Sequence, residues 1–94
     1  MRVADIIVDQ IKTIDGWAFA SWGAIDTVAL DNGFRFKSSG MVRRKGYVEV
    51  IYNPGSDLYD VSFVRVRKLE RIVDKVVSDV FADDLVNVID NLIL

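Results

Sequence analysis

Apolar residues in the last third of the chain recur at intervals of three and four positions. Between residues 69 and 94 they are Leu69, Ile72, Val73, Val76, Val77, Val80, Phe81, Leu85, Val88, Ile89, Leu92 and Ile93. This spacing is typical of one apolar face of an α-helix. It predicts a terminal helix over residues 69–94, about 39 Å long at about 1.5 Å per residue.

Shorter patterns precede this segment. Residues 3–13 place their apolar side chains on one helical face, and Asp15-Gly16 ends that helix. Alternating or aromatic-rich runs predict strands at residues 17–22, 34–37, 47–52 and 58–67. Residues 24–30 are compatible with either a strand or an irregular connection, and both alternatives stay open.

Together these elements predict an α+β fold in a single domain of residues 1–94. A short N-terminal helix is followed by an antiparallel sheet of about four strands, which short turns connect as a meander. The long C-terminal amphipathic helix packs on one face of the sheet. Four strands at about 4.8 Å spacing make a sheet less than about 20 Å wide, so the helix overhangs it.

The overhanging end of the helix predicts an oligomer interface. Antiparallel packing of two such helices would bring the acidic end of one copy to the basic start of the other. The candidate interface residues are Phe81, Asp84, Leu85, Val88, Ile89, Leu92 and Ile93. In the alternative, the helix breaks near Asp83-Asp84 and its last turns fold back. For Asp84 itself, one interpretation is that the apolar stripe leaves the sheet at this position and the carboxylate is solvated. The other is a charge at an interface, which would need an Arg partner.

The strand pattern also predicts which side chains face the helices. Aromatic core residues are expected to be Trp17, Phe19, Trp22 and Phe81. The inward strand residues are expected to be Phe34, Phe36, Val48, Val50, Val64 and Val66. The outward ones are expected to be Arg35, Lys37, Tyr47, Glu49, Phe63, Arg65 and Arg67.

Composition limits the chemistry that the chain can perform. It contains no cysteine and no histidine, which excludes disulfides, thiolate metal sites and imidazole bases. The sequence has no glycine-rich nucleotide loop, nucleophile elbow or calcium-binding loop. We therefore expect no enzyme activity, no cofactor and no metal site. The 51% hydrophobic content is high for a small monomer and favours burial against another chain.

Charge is unevenly distributed, although the net charge is only −2. Within residues 65–75, basic residues outnumber acidic ones. The charged residues between 76 and 94 are all acidic. Candidate contacts with an anion or nucleic acid are Arg35, Lys37, Arg43, Arg44, Lys45, Arg65 and Arg67. A sheet face with aromatic and Arg side chains can stack on single-stranded nucleic acid. The acidic balance of the chain favours the simpler interpretation, an ordinary solvated face and loop.

Targeting signals are not evident in the sequence. The N-terminal segment carries Asp5 and Asp9, which interrupt the apolar core that a secretory signal needs. No apolar run approaches the roughly 18 residues of a membrane span. We therefore expect a soluble cytoplasmic protein without membrane contact.

The sequence contains an ordered set of short motifs, within a likeness that covers roughly Trp17 to Leu94. They are Trp22-Gly23-Ala24, the strands at 34–37 and 47–51, DLYDVSFVRVRK at 57–68 and VFADDL at 80–85. This set resembles a family of small proteins encoded by tailed bacteriophages and prophages. The chain departs from that family at Asp84, where members carry an apolar residue, and in its basic loop at 43–45. The resemblance implies a phage accessory protein made in the bacterial cytoplasm.

The leading functional prediction is protein–protein binding without catalysis, by a homo-oligomer whose further partner is a host or phage protein. One alternative is a nucleic-acid-binding module that uses the basic sheet face and loop. Another is a minor virion or assembly component, which the residues do not distinguish from the first.

Overall fold

The computed structural model describes residues 2–39 and 45–93. The helices are α1 (Val3–Ile14), α2 (Ala18–Trp22) and α3 (Leu85–Ile93), and a 3-10 helix (Ala82–Asp84) directly precedes α3. The strands are β1 (Ala24–Leu30), β2 (Gly33–Ser38), β3 (Gly46–Asn53), β4 (Leu58–Arg67) and β5 (Glu70–Val80). The fold is α+β, with α1 and α2 before the strands and α3 after them.

The five strands form one antiparallel sheet in sequence order, β1-β2-β3-β4-β5. The sheet is therefore the predicted meander, with one strand more than the four expected. Directly opposite residues of an antiparallel pair share a face. Phe36 lies opposite Val48, and Val48 lies opposite Phe63. All three are fully buried, and they mark the inner face of the sheet.

The helices pack on this inner face. The buried residues of α1 include Ile7 and Ile11, and those of α3 include Leu85, Ile89 and Leu92. Their spacing of three and four positions places them on one side of each helix. They join the inner strand residues in one hydrophobic cluster. The predicted packing of the N-terminal and C-terminal helices on one sheet face is confirmed.

Trp22 connects α2 with the sheet and with α3. Its ring stacks on Phe36 with a centroid distance of 5.5 Å and an interplanar angle of 6°. Its indole Nε1–H donates a 2.6 Å hydrogen bond to Oδ1 of Asp90. The fully buried indole is thus packed by an aromatic ring and satisfied by a carboxylate, as a buried tryptophan requires.

The predicted helix over residues 69–94 is wrong in its first half. Glu70–Val80 form β5, which pairs with β4 through the two-residue turn Lys68-Leu69, and the terminal α-helix is Leu85–Ile93. The first half is rich in Val and Ile, which pack well on a pleated sheet. At about 14 Å, α3 is too short to overhang the sheet.

Residues 17–22 do not form the predicted strand. Ala18–Trp22 form α2, and Gly23, with φ 61, ends this helix in the left-handed region and leads into β1. Trp22 is buried and Phe19 packs against the core, as predicted. Trp17 and Phe81 are 79% and 60% exposed, because each lies in a connection at the edge of the core, so their predicted burial is wrong.

The predicted inward and outward residues of β4 are interchanged. Phe63 is buried on the inner face opposite Val48, whereas Val64 lies opposite Tyr47 on the other face. Val66 shares that face with Val64 and is exposed. The register between β3 and β4 decides this phase, because a shift of one residue moves every side chain to the opposite face.

Candidate interaction surfaces

The side of the sheet opposite the helices carries exposed aliphatic side chains. We call it the outer face and define it by Ile25, Val28, Arg35, Lys37, Tyr47, Glu49, Ser62, Val64, Val66, Arg71, Val73 and Val76. Its exposed aliphatic residues are 38% to 58% exposed and are Ile25, Val28, Val66, Val73 and Val76. Among the described residues no helix covers this face, since all three helices join the inner cluster.

The centre of the outer face is charged. Glu49 is 9% exposed, and its Oε1 accepts a hydrogen bond from Nη2 of Arg71 across the intervening strand β4. Arg35 places its guanidinium carbon 5.5 Å from the centre of the Tyr47 ring, a cation–π contact. Within the described residues, the buried Nε of Arg35 has no hydrogen-bond partner.

These charged groups surround a shallow depression of about 190 Å³, which Val64 and Val66 also line. The outer face therefore combines an aliphatic rim with a centre of paired charges. Protein interfaces have a similarly mixed composition, and the residues that contribute most to binding are enriched in Tyr, Trp and Arg.

The predicted interface residues of the C-terminal segment do not form one surface. Leu85, Ile89, Leu92 and Ile93 are buried in the core of the chain, and Val88 packs against it. The sequence pattern correctly predicted an apolar helix face. That face is buried within one chain, although the prediction placed it at a contact between two copies. A charged residue at one of these buried positions would disrupt folding.

Phe81 and Asp84 are exposed, in contrast to the buried members of that predicted set. Phe81 precedes the 3-10 helix, and the backbone N–H of Asp84 donates a 2.9 Å hydrogen bond to the Phe81 carbonyl. The solvated alternative for Asp84 agrees with this position at the surface.

Two of the predicted anion-contact residues, Arg35 and Lys37, share the outer face as expected. Lys45 is exposed immediately before β3. Arg43 and Arg44 lie outside the described residues.

Arg65 and Arg67 do not share that face. They lie opposite Ile72 and Glu70 on the inner side of the β4–β5 hairpin. Nε of Arg65 lies 2.7 Å from Oδ2 of Asp74. The two arginines therefore do not continue the basic surface of Arg35 and Lys37.

Charges separate along the strand direction. In the meander, the β2–β3 connection and the β4–β5 turn lie at one end of the sheet, and the other turns lie at the opposite end. The first end, called the basic end, carries Lys37, Lys45, Arg67, Lys68 and Arg71. The second, called the acidic end, carries Asp31, Asp57, Asp60, Asp79 and Asp83. The molecule thus has an electrostatic direction that residue counts alone do not reveal.

The β4–β5 hairpin projects from the basic end. Pairing between β3 and β4 stops at Tyr47 and Val64, so the residues beyond Val64 form a two-stranded ribbon. At its tip, Lys68 and Leu69 have φ values of 51° and 67°, which is the type I′ geometry that normally selects Asn-Gly. A left-handed conformation costs roughly 1–2 kcal/mol for an ordinary residue.

Leu69 is 99% exposed at this tip. An exposed leucine in a strained turn brings no folding energy that would offset its conformation. Backbone strain that packing does not explain points to a function of the residue. We therefore count the hairpin tip as a second candidate surface; a strand assignment for residues 70–80 would have been needed to find it from the sequence.

In comparison with known proteins, no family model, no curated protein and no solved structure matches this chain. Over the described residues, no helix combines the length and apolarity required to cross a membrane. Within the same part of the chain, no three acidic side chains are grouped to bind a metal ion.

Proposed function

We propose that the protein acts by binding rather than by catalysis, and that it self-associates through the outer face of its sheet. The observation that carries this proposal is the exposed aliphatic rim around the Glu49–Arg71 pair, on a face that no described helix covers. Burial of such side chains against a second copy is favourable by roughly 25 cal/mol per Å² of apolar area.

The edges of the sheet favour association through the face. Each edge strand contains a bulge with an aspartate at positive φ, Asp26 (φ 52) in β1 and Asp79 (φ 58) in β5. Bulges and charged residues hinder the pairing of one sheet edge with another. Continuous pairing of two sheets through these edges is therefore disfavoured, and the outer face remains the accessible apolar surface of the sheet.

The occupant of the outer face is a second copy of the chain. A two-fold arrangement that reverses the strand direction places the basic end of one copy over the acidic end of the other. Lys37 and Arg71 of the basic end then meet the end that carries Asp60. Two-fold dimers are the commonest oligomers and need a self-complementary patch, which this charge separation provides.

The size of the face indicates a weak dimer. Five strands at about 4.8 Å spacing and about 20 Å length give the sheet face a flat area on the order of 400 Å², without the added surface of protruding side chains. Stable interfaces bury about 800 Å² per partner. We therefore expect association that depends on protein concentration.

The native mass of a Val76→Asp variant tests the proposal. Val76 is 52% exposed on β5, so an aspartate there keeps the fold but places a carboxylate in the apolar contact. We expect the concentration-dependent dimer to weaken at least tenfold in light scattering. Val28→Asp, at the opposite edge of the same face, should give the same result.

Trp17→Ser is the matched control, because it removes a larger exposed apolar side chain on the helical side of the molecule. It should leave the association unchanged. If both aspartate variants associate like the unmodified chain while remaining folded by circular dichroism, the outer-face dimer is refuted.

The setting that the sequence motifs imply is a tailed phage or prophage, in which the protein would serve as an accessory binding factor for a host or phage partner. The ordered motifs between Trp17 and Leu94 support this part of the proposal. Purification of the tagged protein from infected cells, with wild-type and Val76→Asp forms compared, would show whether a partner depends on the outer face.

Nucleic-acid binding is the second candidate function, which the concentration of Lys and Arg at the basic end favours. The ion pairs of Arg65 and Arg71 reduce the charge available for phosphates. Binding would weaken steeply with added salt, because phosphate contacts release counterions. Absence of binding to single- and double-stranded DNA and RNA at low salt would remove this candidate.

A further inference from the structure

The acidic end contains an open apolar groove that lies between α1 and the 3-10 helix. It has a volume of about 320 Å³ and is lined by Ile6, Asp9, Gln10, Thr13, Ile14, Ala82 and Asp83. Ile6 and Ile14 are 39% and 44% exposed. An enclosed cavity of about 150 Å³ holds a benzene molecule, so this groove has room for one branched aliphatic side chain.

The groove has a negative rim. The carboxylates of Asp9 and Asp83 line it, and an adjoining depression that shares Ala82 and Asp83 adds Asp57. An apolar floor with an acidic rim fits an apolar side chain that has basic neighbours.

The hairpin tip at the opposite end of the molecule has this chemistry. Leu69 is almost completely exposed, and Arg67 and Lys68 precede it, with Arg71 two positions after it. The tip extends beyond the last residue pair of β3 and β4, so it is open to an approaching molecule.

We propose that Leu69 at the hairpin tip of one copy inserts into the groove between α1 and the 3-10 helix of a second copy. Arg67 and Lys68 then lie over the carboxylates of Asp9 and Asp83. The contact joins two different surfaces, so it is a head-to-tail contact that continues into a ring or an open chain. It uses other residues than the outer face and goes beyond the dimer proposed above.

Two single variants test this contact by sedimentation velocity at low ionic strength. Leu69→Asp alters the tip, and Ile14→Asp alters the groove. Each alone should fail to form the species larger than a dimer that the wild-type chain forms, with association weakened at least tenfold. Trp17→Ser, which also removes an exposed apolar residue, should assemble like the wild-type chain.

A mixture of the two variants is the decisive measurement. The tip variant retains an intact groove and the groove variant retains an intact tip, so the mixture should form complexes larger than either variant alone. A self-complementary contact would not show this recovery. If Ile14→Asp is poorly folded, Asp83→Lys replaces it, because Asp83 is exposed in the 3-10 helix.

The proposal is overturned if Leu69→Asp assembles like the wild-type chain, or if the mixture sediments no faster than its components. Failure of the outer-face dimer appears separately, as an unchanged mass of Val76→Asp. A tip that binds only another protein would leave all purified variants identical, and that result also counts against the contact proposed here.

Discussion

At the scale of single residues, Leu69 combines a left-handed backbone with a side chain that no described residue covers. Glycine adopts this conformation without steric cost. We expect Leu69→Gly to raise the free energy of unfolding by about 0.5–1 kcal/mol, because relief of the turn strain exceeds the added entropy of the unfolded chain.

Urea denaturation checks this expectation, and sedimentation of the same variant checks its counterpart. If Leu69 served only the fold, Leu69→Gly would associate like the wild-type chain. The proposed contact instead requires that Leu69→Gly is more stable and assembles more weakly. A less stable Leu69→Gly would mean that the side chain contributes to the fold.

Tyr59 provides a pH-dependent contribution at the same scale. Burial raises the pKa of its phenol above the ordinary value of 10.0, and the hydroxyl donates a 2.6 Å hydrogen bond to Oε1 of Gln10. The unfolded chain therefore loses this proton at a lower pH than the folded chain. The contribution of Tyr59 to stability is complete below pH 10.0 and is lost as the pH rises through the pKa of the folded state.

Tyr59→Phe should reduce the loss of stability above pH 10.0, in urea titrations at matched ionic strength. The hydrogen bond of Tyr52 to Asp57 likewise raises the pKa of the Tyr52 phenol. Tyr52→Phe therefore serves as the comparison in which a hydrogen bond is the main cause of the raised pKa. If the stability of wild type and of Tyr59→Phe fell identically at alkaline pH, the pH dependence would not come from Tyr59.

At the scale of elements, the Glu49–Arg71 pair holds the β4–β5 hairpin against β3. Arg71→Ala should destabilise the fold by about 1–3 kcal/mol, because it leaves the mostly buried carboxylate of Glu49 without this partner. Arg65→Ala is the matched control on the same hairpin. Its partner Asp74 is more exposed, so the loss should be below about 1 kcal/mol. Equal losses in chemical denaturation would show that burial of Glu49 does not matter.

The same hairpin shows why the sequence predicted a helix for residues 70–80. In β5, two bulges insert extra residues, one between Val73 and Lys75 and another between Val77 and Val80. Each bulge leaves an interval of three between apolar residues of the same face, from Val73 to Val76 and from Val77 to Val80. The apolar residues of both faces, read together, then show the spacing of a helix. The turn Lys68-Leu69 also lacks the Asn-Gly or Asp-Gly signal that marks a hairpin.

Other elements could be predicted because local pattern and tertiary packing agree. Residues 34–37 alternate strictly, and their phenylalanines face the helices as expected. The helical face of α1 was also recognisable from its spacing. The outer face could be predicted only in part, since its membership depends on the register of β4, which the sequence of that strand does not specify.

At the scale of the whole molecule, the meander collects basic residues at one end and acidic residues at the other. Both proposed contacts, face to face and head to tail, bring opposite ends together. The assembly should therefore weaken as salt screens these charges, over a range in which the Debye length falls from about 30 Å to about 10 Å. The aliphatic contacts of the outer face should retain part of the association at high salt.

Self-association is tested first by the native mass of the wild-type protein in light scattering. The mass is recorded over a range of concentrations, with nucleic-acid absorbance on the same peak. One chain has a mass of 10.6 kDa. A dimer through the outer face gives a mass that rises with concentration to at least about 21 kDa, twice the chain mass, without nucleic acid. A mass of one chain at every concentration and salt level would contradict it.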